Sequence, residues 1–414
     1  MDKRYKIGIF IDTYFPMVDG VTVGVNSIVK ILNKSADVTV FTAAPKDGVY
    51  DDSALEYRVV RCKSAKIPFV KIDYAMPVPK LDKRFKKELE ASELDLVHIR
   101  SPFGVGKAGI RYAKRHGIPA VMTLHSQYRQ DFYKNTRSRL LTAFLMSGVR
   151  RVFKKCGECW SVNEASKEIL YDYGAKAEPV VMENGTDMLP VADAQGAKDR
   201  INALCGIDSS KKVLLYTGRI IALKNIFFIA DALKVLKERG QDFKMIFIGE
   251  GADKEALKKK LDGDGLSENV YFAGLVYDRS LIADYNARAD LFLFPSFYDT
   301  DGVVKKEAAC QRTPIVCVEG SLVAKTVVKD RNAYIAPNDP AAYADEIMKA
   351  LADTGKYETV AENAYREVYV TWAQTAQKTL ERYKNLIENP RRKFGIAGAD
   401  KKVWKRKQTK PQPR

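Results

Sequence analysis

Cysteine is sparse: six residues, at 62, 156, 159, 205, 310 and 317, are scattered over 414 positions. That density excludes a disulfide scaffold and predicts reduced thiols. The one close pair, Cys156-Gly-Glu-Cys159, has a metal or redox spacing, but no second pair and no neighbouring histidine completes a zinc site. It reads as two small residues entering a strand, Cys159 to Val162. Long apolar runs are missing as well. The longest, Leu140 to Val149, is broken by Thr, Ser and Gly and is too short for a bilayer, which excludes a transmembrane helix. The opening Met-Asp-Lys-Arg-Tyr-Lys has no apolar leader, so the expected compartment is the cytoplasm. Acids are nearly absent from two stretches: from 101 to 155 twelve Lys or Arg face only Asp131, and from 391 to 414 ten face only Asp400.

What is present is the composition of a globular protein, 46% hydrophobic and 29% charged, long enough for two or three domains. The net charge of +17 is concentrated in the two acid-poor blocks, which implies an anionic partner, nucleic acid or anionic lipid. Apolar strand-like runs alternate with amphipathic stretches along the chain, the pattern of an α/β protein with parallel sheets. In the first half the strands read Lys6–Asp12, Asp37–Ala43, Tyr57–Cys62, Leu94–Arg100, Ala120–Leu124, Glu158–Val162 and Pro179–Glu183, with helices such as Val21–Asn33, Val105–Arg115 and Ala165–Asp172. Pro190 to Gly196 reads as a linker. A second series follows, with strands Lys212–Thr217, Lys244–Ile248, Val270–Phe272, Leu291–Pro295 and Pro314–Val318 and helices including Asn225–Lys237 and Gly302–Ala309. The expected division is 1–189 and 190–355 as two Rossmann-like domains, helices over 356–388 packing back on the first, and a basic tail over 389–414. Two such halves place a ligand between the carboxyl ends of their sheets.

Several residues in those loops suit a phosphorylated ligand. Asp19-Gly20-Val21 lies between the first strand and its helix, where glycine lets amides approach an anion, although a plain turn glycine reads the same way. Thr217-Gly218-Arg219 through Lys224-Asn225 leaves a strand and opens a helix, and two cations there suit a diphosphate leaving group. Asp299 at a strand end is followed eight residues later by Glu307 inside a helix that starts near Gly302, which offers amides for an anion and carboxylates for sugar hydroxyls. His125 stands at the cleft end of its strand. His98, inside an apolar strand, reads as structural, and His116 beside Gly117 as a helix C-terminal cap.

In order, Thr13-Tyr-Phe-Pro-Met-Val-Asp-Gly20, Thr123-Leu-His125-Ser, Glu183-Asn-Gly-Thr-Asp187, Gly218-Arg219 with Lys224-Asn225, Ile248-Gly-Glu-Gly251, Phe272-Ala-Gly-Leu275, the Asp299/Glu307 pair and the closing Trp372 and Tyr383 make residues 5 to 388 resemble GT-B-fold, family 4 type retaining glycosyltransferases. The likeness is greatest to bacterial cell-envelope and glycolipid hexosyltransferases, including diacylglycerol glucosyltransferases. The resemblance implies that amides near Gly20 and the side chains of Arg219 and Lys224, beside Gly218, hold the donor diphosphate. It implies that His125, Asp299 and the amides of Gly302, Val303 and Val304 face the donor sugar. Glu307 would bind the ribose hydroxyls, and Gly274-Leu275 would lie beside the base. The implied donor is a nucleotide diphosphate sugar, a UDP-sugar such as UDP-glucose, used without a separate cofactor. Four departures stand out: the first carboxylate is Asp299 rather than Glu, Lys305-Lys306 replaces an apolar pair, Arg312 stands where glycine is common, and the usual Gly-Gly-x-x-Glu segment reads Gly320-Ser-Leu-Val-Ala-Lys325.

Two motifs mimic other chemistry. Gly104-Val-Gly106-Lys-Ala-Gly109 matches a dinucleotide fingerprint, but the next strand ends in His125 instead of an acid. Asp299-Thr-Asp301 resembles a metal motif, yet Arg219 and Lys224 already supply positive charge, so no metal is expected. Asn135 to Lys155 mixes Leu140, Leu141, Phe144, Leu145, Val149 and Phe153 with cations, as an interfacial helix does; a core helix with a basic outer face reads similarly. With Trp404 among the tail cations, these features lead to a membrane-peripheral enzyme on the inner face of the cell membrane, acting on a lipid or lipid-linked acceptor, with no nucleic acid expected. The alternatives are a soluble or polysaccharide acceptor, or a nucleic-acid-binding protein on an inactive transferase scaffold.

Overall fold

A computed structural model describes residues 4–17, 19–45, 48–65 and 76–389. The basic tail from 390 onward, including Trp404, lies outside the described residues.

Two parallel sheets form the frame. The first contains β1 (Lys6–Phe10), β2 (Asp37–Ala43), β3 (Arg58–Cys62), β6 (Leu96–Ile99), β7 (Ala120–Leu124), β8 (Glu158–Ser161) and β9 (Val180–Val181), in the order β3-β2-β1-β6-β7-β8-β9; β4 (Ser64–Ala65) and β5 (Met76–Pro77) form a separate antiparallel pair. The second contains β10 (Lys212–Thr217), β11 (Phe243–Ile248), β12 (Val270–Gly274), β13 (Leu291–Phe294), β14 (Ile315–Val318) and β15 (Tyr334–Ala336), in the order β12-β11-β10-β13-β14-β15. Helices cover both faces of each sheet, so inner strands such as Leu291–Phe294 are buried along their whole length and read as continuous apolar runs. The strand order reverses between β1 and β6 and again between β10 and β13. Those two switch points leave crevices at the carboxyl ends of the strands, where α/β sheets bind ligands.

The helices of the first half are α1 (Gly20–Leu32), α2 (Lys83–Ala91), α3 (Gly104–His116), α4 (Tyr128–Thr136), α5 (Arg139–Phe153) and α6 (Lys167–Tyr173). Helix α1 shows how they form: Asp19 accepts from Thr22 N at 2.7 Å as the N-cap, and Val25, Ile28, Val29 and Leu32 bury one face at helical spacing. The second half carries α7 (Ala194–Cys205), α8 (Ile226–Glu238), α9 (Lys254–Gly263), α10 (Arg279–Arg288), α11 (Val303–Cys310), α12 (Pro340–Ala352) and α13 (Thr354–Glu367); α14 (Trp372–Glu388) closes the described chain.

Several sequence expectations need correction. The Pro179–Glu183 strand shrinks to two residues, and the linker is shorter than Pro190–Gly196 because Asp193 caps α7 through Gly196 N at 2.9 Å. The segment 356–388 does not pack back as a unit. Helix α13 packs on α11 and α12, with Val360 and Ala364 inside the cores of the second half, and only α14 returns to lie on α1. There Trp372 covers Gly24, while Tyr383 stacks on Trp160 and hydrogen-bonds His98. His98 Nε2 also meets Thr123 Oγ1 at 2.7 Å, so this histidine is a satisfied core residue.

Candidate active site

The β1/β6 switch point is closed from within. Asp12, at the end of β1, accepts from Phe103 N at 3.1 Å and from Val105 N at 2.7 Å, so the chain's own carboxylate occupies the anion-binding end of α3. Burial nonetheless lifts its pKa to about 7. This settles the Gly104-x-Gly106 motif. A Cβ at Gly106 would meet Ser101 O at 1.9 Å and one at Gly109 the Phe10 ring at 2.8 Å, so these glycines serve close packing. Gly20, at the first turn of α1, has open space around it. Gln127, Arg100 and His125 line the neighbouring strand ends.

In the second sheet, three glycine loops stack at consecutive strand ends. Gly218 N donates to Ile248 O at 2.9 Å and Gly249 N to Gly274 O at 2.8 Å, and a Cβ on Gly249 would fall 2.0 Å from Gly218 O. The backbone is therefore bare along the cleft floor, and Leu275, 57% exposed, stands beyond it. Arg219 is exposed, and its guanidinium makes no ion pair among the described residues. Lys224 is held over the Tyr298 ring and paired with Asp299. The second oxygen of Asp299, Oδ2, is buried without a hydrogen bond. A buried acceptor with nothing to accept is suited to a ligand hydroxyl.

The loop carrying Asp299 is tied to the opposite half. Gln127 Nε2 donates to Tyr298 O at 3.0 Å, Tyr298 OH to Asp131 Oδ1 at 2.8 Å, and Thr300 Oγ1 to His125 O at 3.1 Å. Asn163 reaches Thr300 O with its amide at 2.5 Å, and Asn184 reaches Asp301 at 2.9 Å. His125, Lys224 and Asp299 are thereby brought to one place. Sequence reasoning assigns no role to Gln127, Asn163 or Tyr298, because single polar residues at element ends and in loops carry no periodic signal, and it meets Asp131 only as the lone acid of a basic segment.

Glu307 lies apart from that cluster. Gly302 caps α11 with φ 65°, which leaves Val303 and Val304 in the first turn with amides aimed out of the helix. One turn deeper, Glu307 accepts from Arg279 Nη2 at 2.7 Å, and Arg279 also meets Asp187 at 2.5 Å. Burial pushes the Glu307 carboxyl above its usual range against the pull of Arg279. Arg279 is a further residue that sequence reasoning did not single out.

The departures have structural answers. Asp301 is a buried counter-ion for Lys305 at 3.2 Å, and although burial alone would raise it, the Lys306 and Lys305 ammonium groups hold it low. Asp299-Thr-Asp301 is thus divided between two lysines, and no cluster of potential metal ligands occurs among the described residues. Arg312 occupies a left-handed position, φ 59°, the conformation that favours glycine, and stacks on Tyr365. Cys156 and Cys159 are buried, their sulfurs facing Val152 O and Phe153 O, and burial raises both thiols.

Two facing parallel sheets with a cation-bearing, glycine-floored cleft define a GT-B glycosyltransferase. The profile described as Glycosyltransferase Family 4 matches residues 18–188, and that described as Glycosyl transferases group 1 matches residues 198–367. The chain belongs to the group 1, family 4 glycosyltransferases, which are retaining enzymes using nucleotide-sugar donors. Among curated proteins it is similar to the alpha-monoglucosyldiacylglycerol synthases of Streptococcus pneumoniae, 27% identical over 87% of this chain and 82% of that protein, and of Acholeplasma laidlawii, 28% identical over 75% and 79%. Its fold matches Anabaena HepE, solved with UDP and glucose, with a TM-score of 0.71 at 19% identity over 92% of this chain and all of that one. It also matches Thermosynechococcus elongatus sucrose-phosphate synthase, with a TM-score of 0.75 at 20% identity over 93% and 100%.

Proposed function

We infer that this enzyme moves a hexose from a UDP-sugar to a lipid or lipid-linked acceptor while docked on an anionic membrane surface. The observation that carries the lipid reading is the outer face of α5. Leu140 is 87% exposed and Phe144 73% exposed, with Leu141 beside them. Exposed cations flank them: Arg137 and Arg139 before, Arg151, Lys154 and Lys155 after, and Lys107 on the adjoining α3. Apolar side chains ringed by cations suit headgroup insertion. Helix α4, which leads from the cleft into α5, connects that face to the catalytic loop through Asp131 and Tyr298. The similarity to two monoglucosyldiacylglycerol synthases supports the same acceptor class.

Val149 and Phe153 do not belong to the docking face, since both are 1% exposed in the core. The single interfacial helix expected over 135–155 is also interrupted at Arg137, whose φ of 48° ends α4 before Ser138 caps α5.

In the reaction, Arg219 and Lys224, with the amides near Gly20, take up the charge that develops on the leaving diphosphate, while the first-turn amides of α11 face the donor sugar. Donor entry replaces the Lys224–Asp299 pair with Lys224–phosphate and Asp299–hydroxyl contacts. The leaving phosphate takes the acceptor's proton on the face where the new bond forms, so positioning supplies most of the rate. The test is transfer of radiolabelled glucose from UDP-glucose to diacylglycerol in anionic vesicles, with and without EDTA. Lipid-soluble product in both conditions is expected. Product appearing only with a soluble sugar or polysaccharide acceptor overturns the lipid reading.

A further inference from the structure

Arg100 sits at the end of β6, beside the strand that delivers His125, and is only 7% exposed. A buried guanidinium is ordinarily neutralised by a carboxylate. Arg100 makes no ion pair among the described residues, and its Nε has no hydrogen-bond partner. Among the described residues its one side-chain hydrogen bond is Nη1 to His125 Nε2, at 3.0 Å.

A guanidinium has only donors, so the nitrogen that meets it must carry the lone pair. The His125 proton then resides on Nδ1, which makes no other hydrogen bond among the described residues. The peptide of the same residue is held from the far side by Thr300 Oγ1 on the Asp299 loop. We propose that Arg100 is a positioning residue for sugar transfer: it fixes the His125 ring as an uncharged Nδ1–H donor directed to the donor sugar. This rests on the assignment of His125 to the donor-sugar subsite.

The chemistry explains why a neutral donor is wanted. The sugar develops positive charge in the transition state, and an imidazolium beside it would oppose that charge, whereas a neutral N–H binds a hydroxyl without doing so. The groups facing the ring are consistent. Burial and Arg100 drive the His125 pKa down to about 3, against the opposing pull of Asp301. His98, the other ring nearby, is kept uncharged by burial and is occupied by Thr123 and Tyr383.

The chain has three histidines, so nitrogen-15 labelling of histidine gives a spectrum simple enough to read. In the full-length protein one ring, identified by its loss in H125A, is expected to show the Nδ1–H tautomer and no titration between pH 5 and 8. In R100M the same ring is expected to populate the Nε2–H tautomer and to titrate at higher pH. Its kcat should fall roughly tenfold to a hundredfold with little change in donor KM, since an ångström of misplacement costs that much. R100K, which keeps a charged donor, should restore the tautomer and part of kcat. The R100M/H125A double variant should be no slower than H125A. An Nε2–H tautomer in the wild type overturns the proposal whether or not R100M folds. So does an R100M enzyme with wild-type tautomer and kcat beside a slow H125A. A fast H125A instead removes His125 from the donor subsite, and the proposal falls with that assignment.

Discussion

At the scale of single residues, the two cations of the cleft differ in their partners. Lys224 is committed to Asp299, whereas Arg219 is committed to nothing among the described residues. If both cations hold the donor diphosphate, removing either takes away about 3 kcal/mol of leaving-group stabilisation, and R219A and K224A should each turn over about a hundredfold more slowly in steady-state assays. The two differ in stability. R219A should unfold in urea like the wild type, while K224A leaves the largely buried Asp299 carboxylate unpaired and should lose about 1–3 kcal/mol. Equal urea midpoints would show that the pair does not matter to the fold. The carboxylates divide in a similar way. If Glu307 binds ribose, E307A should weaken UDP binding in calorimetry by about 1.5–3 kcal/mol. D299A should leave UDP affinity unchanged or higher, because Lys224 is set free for the diphosphate, and yet should impair transfer. The opposite pattern would mean that the two roles are exchanged.

At the scale of elements, the α3 terminus shows a carboxylate serving the fold at the place where the sequence pattern suggests a cofactor. Asp12 holds a pKa of about 7 in the folded protein against an ordinary value of 3.8. The native state therefore binds more protons than the unfolded chain between those values, and this group's contribution to stability falls as pH rises from about 4 to about 7. D12N, which removes the titration but keeps only one of the two acceptor oxygens, should be less stable overall and show a flatter fall in urea-measured stability over that window. A parallel pH profile for the two proteins would place the Asp12 pKa near its unperturbed value. The same region shows what was legible in the sequence. Strands such as Leu291–Phe294 and Ala120–Leu124 announced themselves because a parallel strand buried on both faces is an unbroken apolar run. The first turn of α7, Ala194 to Gly196, reads as linker and the rest of the helix carries no sequence signal, because Ala194-Gln-Gly-Ala-Lys-Asp is polar and glycine-bearing and only Ala197, Ile201 and Cys205 face the core. His125, Lys224 and Asp299 were visible as strand-end residues. Arg100 was not, although it too ends a strand, because its meaning lies in a neighbour 25 positions away. Nor could spacing show that Glu307 is held by Arg279, a contact between two helices.

At the scale of the molecule, charge and hydrophobicity separate into two faces of one half. The acid-poor segment 101–155 folds so that its buried side packs Met146, Val149, Val152 and Phe153 into the first core, while its outer side presents Leu140, Leu141 and Phe144 among cations. Its single acid, Asp131, is turned inward to Tyr298, so nothing in the segment offsets the outward charge. Each cation near an anionic leaflet contributes about 1 kcal/mol, and this part is screened by salt. Inserted leucine and phenylalanine add a part that salt does not weaken. The two parts can be separated in vesicle sedimentation. Neutralising Arg151, Lys154 and Lys155 with Gln should reduce binding to anionic vesicles strongly at low salt and little at high salt. L140S/F144S should do the reverse, lowering the residual binding that survives high salt. Both sets lie on the surface away from Arg219, Lys224 and Asp299, so hydrolysis of UDP-glucose in solution should stay at the wild-type rate. Equal binding to neutral and anionic vesicles would remove the cations from the account of this face, and tight salt-sensitive binding to RNA in place of lipid would remove the membrane from it and leave the acceptor to be sought in solution.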